Sequence, residues 1–120
     1  MSLAEELPVY KAGYDLVLAI FEQARNFKKE YKYTIGESLK KETIALITNI
    51  YRANCVAVKG TYLAGARENA EVVRLYLRLL KDLRQISVKQ LVLFNSRLEN
   101  VSRQLAGWHK SQTSKQPKEE

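Results

Sequence analysis

Residues Tyr31 to Asn54 read YKYTIGESLKKETIALITNIYRAN, and no other stretch constrains the architecture so tightly. Thr34 followed three residues later by Glu37 has the form of a capping box, hydroxyl to an orphan N–H and carboxylate back to the cap, so a long helix is predicted to start here. Beyond it Leu39, Thr43, Leu46, Ile50 and Ala53 recur at three- and four-residue steps, with Ile47 and Tyr51 beside them. A stripe that wide serves more than one neighbour, so the other segments are expected to pack around this helix.

Upstream, Met1 to Leu7 is short and acidic and is expected to be a flexible lead, with Pro8 suited to the first turn of a helix. Tyr10, Tyr14, Val17, Phe21 and Ala24 form one stripe of that helix, and Gly13, Leu16, Ile20 and Phe27 an adjacent one. Gly13 would allow another backbone to approach closely. The pattern breaks down between Asn26 and Tyr33, where Lys28, Lys29 and Lys32 gather among aromatic residues. Such a cluster suits a helix C-terminus and needs no ligand there, though cations interleaved with rings also suit a nucleic-acid strand.

Downstream, the long helix is predicted to reach about Ala57, with Gly60 as its stop and Thr61 as the next cap. A third helix is clear from Ala66, and Gln85 and Ile86 then make a connection short enough to force antiparallel neighbours. Ser87 and Gln90 form a second capping box, and Leu91, Phe94, Leu98, Val101, Leu105 and Trp108 alternate by three and four. That is a narrow bundle seam. Val92 and Leu93 fall outside it, and residues 111–120 are polar and expected to be disordered. The expected fold is therefore all-α, an antiparallel up-down four-helix bundle over residues 8–110.

The chain has 120 residues, one domain's worth, and a formal charge of +7 that attracts polyanions. Its single cysteine, Cys55, excludes an internal disulfide and reads as a buried structural thiol. Glu5 and Glu6 stand where a secretory signal would need positive charge, and Leu16 to Phe21 is too short to cross a bilayer. A cytoplasmic protein with no membrane contact is expected. Nothing points to an enzyme. Glu-x-x-His pairs, a phosphate loop, nucleophile motifs and paired cysteines are absent from the sequence. The single histidine, His109, is expected at a helix end, where the dipole favours a cation. No cofactor or metal is expected.

The informative charges are Arg67, Arg74, Arg78 and Lys81, spaced to line one side of the third helix, with Arg84 near its end and Glu71 as the only acid in the row. Together with Lys28, Lys29 and Lys32 they are the candidate RNA- or DNA-binding residues, holding phosphates without reading bases. The same row is equally consistent with the wet face of an amphipathic helix. Apolar stripes wider than one seam requires predict association with further copies of the chain. The competing reading is a scaffold on which cations and apolar stripes dock an acidic protein, and a ferritin-like metalloenzyme ranks last.

The segments Glu30 to Glu42, Tyr51 to Asn54, Leu80 to Ser87 and Arg103 to Trp108 resemble the small four-helix-bundle proteins encoded in intervening sequences of bacterial 23S ribosomal RNA. The similarity is greater to the branch containing the accessory variability determinant of diversity-generating retroelements, and it spans about Leu7 to Trp108. It implies a ring-like homopentamer with a basic surface that binds nucleic acid and a partner reverse transcriptase, without catalytic residues of its own.

Overall fold

A computed structural model describes Leu3 and residues 6–115. Four long helices, α1 (Pro8–Ala24), α3 (Ile35–Cys55), α4 (Gly60–Asp82) and α5 (Val88–Lys115), are joined by short connectors, and one helical turn, α2 (Lys29–Lys32), interrupts the first. No strand occurs among the described residues. Going round the bundle, α3 packs against α1 and α4, and α5 closes the circuit by packing against the same two helices. Each long helix is antiparallel to both of its neighbours, as its contacts show below. Leu16 and Ile20 of α1, Leu39, Leu46 and Ile50 of α3, Leu63, Val73, Leu77 and Leu80 of α4, and Leu98, Val101 and Leu105 of α5 meet in one core. These are the three- and four-residue repeats of the sequence, turned inward because burying a Leu or Ile side chain contributes about 1.5–3 kcal/mol.

The α1–α3 approach is close at Gly13. A Cβ there would lie 3.1 Å from the Ile47 side chain and 3.3 Å from Ile50, so the hydrogen of glycine sets the spacing. Across the other side of α3, Asn49 donates to Asn69 at 2.7 Å and Asn69 to Glu42 at 2.5 Å, which fixes the register of α3 on α4.

Several expectations need correction. The helix does begin after Thr34, but not through a capping box: the Thr34 hydroxyl donates backward to the carbonyls of Glu30 at 2.8 Å and Tyr31 at 3.4 Å. The unforeseen turn α2 supplies those carbonyls, and Glu37 instead pairs with Lys40 at 3.0 Å. At the far end α3 stops at Cys55 and α4 already starts at Gly60, so Gly60 opens a helix rather than ending one. The Lys59 ammonium stands in for a glycine stop, donating to the carbonyls of Ala53 and Val56. Cys55 is exposed, because it follows the buried pair Ala53 and Asn54 onto the outer side of the last turn. By contrast, the capping box at the start of α5 forms as its spacing requires. Gln90 N–H donates to Ser87 Oγ at 3.0 Å and Ser87 N–H to Gln90 Oε1 at 2.8 Å.

Leu7 packs against the core, whereas Met1, Ser2, Ala4 and Glu5 of the expected flexible lead lie outside the described residues. Helix α5 runs through Lys115, past the expected limit at 110, since residues 111–115 contain neither Gly nor Pro to stop it. The remainder of the expected tail, 116–120, lies outside the described residues. No helix among the described residues is long and apolar enough to cross a membrane.

Candidate nucleic-acid interface

Antiparallel packing places the α1–α3 connector and the α4–α5 connector at the same end of the bundle. They touch. Lys28 N–H donates to Gln85 Oε1 at 2.7 Å across 57 residues of sequence, and Gln90 Nε2 of α5 donates to Gln23 Oε1 of α1 at 3.1 Å. Buried Phe27 and Ile86 anchor the two connectors in the core beneath these bonds. Two cationic segments that look independent in the sequence thus meet at one end of the bundle, one carrying Lys28, Lys29 and Lys32 with Glu30 among them, the other Arg84, just past Lys81 in the last turn of α4. Among the described residues, none of Lys28, Lys29, Lys32 and Arg84 enters an ion pair.

The α4 row is different. Arg74 pairs with Glu71 of its own helix at 3.6 Å and with Glu99 of α5 at 3.3 Å. Arg78 and Lys81 share Asp82, at 3.3 and 3.2 Å. The Lys81 hydrogen bond, aided by the Arg78 guanidinium, holds the Asp82 carboxyl below its usual range despite some desolvation. The Arg67 guanidinium lies 3.1 Å from His109 Nδ1. His109 therefore sits within α5 beside the Arg67 guanidinium, not at a helix end. Glu71 is also not the row's only acid, because Asp82 and Glu99 come within reach once the chain is folded. All of these pairs are at least partly exposed, so each holds its cation weakly, but the row carries little net charge.

Two cations at the connector end occupy locally unfavourable positions. The C-terminus of α4 closes as a Schellman motif, Gln85 N–H to Leu80 O at 2.8 Å and Arg84 N–H to Lys81 O at 3.0 Å, with Arg84 at the left-handed position, φ 64°. Glycine is the usual residue there, since a Cβ costs about 1–2 kcal/mol in that conformation. Lys89, which charge spacing did not single out, is the second residue of α5, at the positive end of the helix dipole, exposed and without an ion partner among the described residues. Only the fold could have added it, because its neighbourhood is set by contact between connectors. No group of His, Cys, Asp and Glu able to hold a metal occurs among the described residues.

Comparison with known proteins adds one finding to this geometry. The family described as bAvd-like matches residues 9–112, all four long helices. No curated protein and no solved structure matches the chain.

Proposed function

Because the chain belongs to the bAvd-like family, we propose that it is a non-enzymatic accessory bundle that holds RNA or DNA against its connector end. The observation that carries this reading is the 2.7 Å bond from Lys28 to Gln85, which brings Lys28, Lys29, Lys32 and Arg84 to one end of the bundle, none of them in an ion pair among the described residues. Phosphate binding there releases counterions, so the affinity must fall steeply with salt and carry little sequence preference. Arg67, Arg74, Arg78 and Lys81 form the flank of the surface, available to phosphates only by exchange with Glu71, Asp82, Glu99 and His109.

In this proposal the protein works as a ring-like homo-oligomer, a pentamer on the family resemblance, and its protein partner is a reverse transcriptase. Two unlike apolar patches support association. Tyr14 and Tyr51 flank Tyr10 on the α1–α3 side, with ring centroids 6.0 and 6.2 Å away, and Leu75, Leu79 and Leu83 line the outside of α4. Joining unlike patches head to tail generates a ring when the rotation closes. The same patches support the alternative, a scaffold that docks an acidic protein.

Fluorescence anisotropy with a labelled oligonucleotide tests the main reading. Binding at 50 mM salt that weakens as salt rises, and falls at least tenfold in Lys28→Glu with Arg84→Glu, is expected. Binding indifferent to salt, or none, overturns it, and a protein retained in pull-downs after nuclease treatment then favours the scaffold. Light scattering that returned the monomer mass of 13.8 kDa would remove the ring.

A further inference from the structure

Beside the connector end lies an open recess of about 480 Å³ between the last turns of α1 and the start of α3. Its apolar lining is Leu18 and Ala24 with the rings of Phe21 and Tyr33. Tyr33 is 64% exposed and contacts no other ring among the described residues, so its face is open to a ligand. Arg25, Lys32 and Lys40 stand around the recess together with Glu22 and Glu37, so cations outnumber acids by one, and the Lys40 ammonium lies 5.5 Å from the centre of the Phe21 ring.

One of those cations has a partner that releases it easily. Arg25 is bound to Glu22 at 3.3 Å with both side chains about three-quarters exposed, whereas Lys40 is mostly buried and stays with Glu37 at 3.0 Å. Lys32 has no ion partner among the described residues. Exposed rings with Lys32 and Arg25 beside them meet the requirements of an unpaired base with its phosphates: the base stacks, and the phosphates take those two cations. Paired bases are already stacked inside a duplex and cannot reach such a recess, while splayed bases of a single strand can.

We propose that this recess receives an unpaired base of single-stranded nucleic acid, stacked against Tyr33 and Phe21, with flanking phosphates on Lys32 and Arg25. The inference rests on the nucleic-acid reading above and adds the strandedness of the ligand and a site for its base. It gives the protein a preference for loops, ends and unwound segments over continuous duplex.

The test compares three labelled probes of equal length, a single strand, the same strand with abasic sugars at its central positions, and a duplex, each made as RNA and as DNA. Wild-type protein is expected to bind the intact single strand at least about fivefold more tightly than the abasic one, the lower end of what one stacked base contributes. Tyr33→Ala should erase that difference and leave duplex affinity unchanged, and Tyr33→Phe should preserve it. Circular dichroism melts of both variants check that the bundle is intact. Equal affinity for intact and abasic strands, or a Tyr33→Ala loss shared by all three probes, overturns the stacking site. If salt dependence and the Lys28→Glu, Arg84→Glu loss persist in that case, phosphate binding stands and only the base site falls. If no probe binds, both fall.

Discussion

Replacing Arg84 by glycine should move stability and affinity in opposite directions. The residue sits at φ 64° in the Schellman turn that ends α4, exposed, with no ion pair or side-chain hydrogen bond among the described residues. Relief of the left-handed conformation contributes about 1–2 kcal/mol. The greater freedom of glycine in the unfolded chain offsets about 0.4–1 kcal/mol of that. A net gain of roughly 0.5–1 kcal/mol remains, which for a bundle of this size raises the melting temperature by about 2–4 °C. The lost guanidinium meanwhile removes one phosphate contact, and with it about 0.9 from the slope of log affinity against log salt on duplex DNA. Arg84→Ala separates the two effects, since it loses the charge and keeps the Cβ. Its affinity should match that of Arg84→Gly while its melting temperature does not rise. The assays are a thermal melt followed by circular dichroism and anisotropy titrations from 50 to 200 mM salt. A lower melting temperature for Arg84→Gly would refute the strain argument, and an unchanged salt slope would show that Arg84 faces no phosphate.

Further outcomes follow from the same geometry. Ser87→Ala removes half of a formed capping box and should cost about 1 kcal/mol in urea unfolding, whereas Glu37→Gln, at the capping box that does not form, should stay within about 0.5 kcal/mol; equal losses would contradict the cap assignment. Gly36→Ala should destabilise by about 1–3 kcal/mol, because its Cβ would meet the Tyr31 carbonyl at 2.9 Å and the Phe27 ring at 3.2 Å. A gain, as helix propensity alone would give, would show that the start of α3 yields. For Asp82 the folded carboxyl titrates below its ordinary value, so the Lys81 and Arg78 contacts are fully present above that value and are lost as pH falls through the lowered one. An NMR titration of Asp82 should show that lowered midpoint and its return upward in Lys81→Ala, and a midpoint indifferent to Lys81 would discard the assigned cause.

Periodicity made the four long helices legible. Leu16 and Ile20, Leu46 and Ile50, Leu77 and Leu80, Leu98 and Leu105 are buried where their three- and four-residue steps require, because those steps describe one side of a helix whatever it packs against. The Ser87 capping box was equally readable, since both its partners lie within one turn. The direction of the Thr34 hydroxyl and the exposure of Cys55 depended on a neighbouring turn or on exact rotation about an axis, to which a repeat pattern is blind. Charge was the least legible of all. Spacing along α4 put Arg67, Arg74, Arg78 and Lys81 on one side, but whether that side is neutral depends on which residues of α5 face it, and Glu99 and His109 do. The meeting of the Lys28 and Gln85 connectors was likewise decided only by packing, because Coulomb and hydrogen-bond partners are chosen by distance in space, and those two residues are 57 apart along the chain.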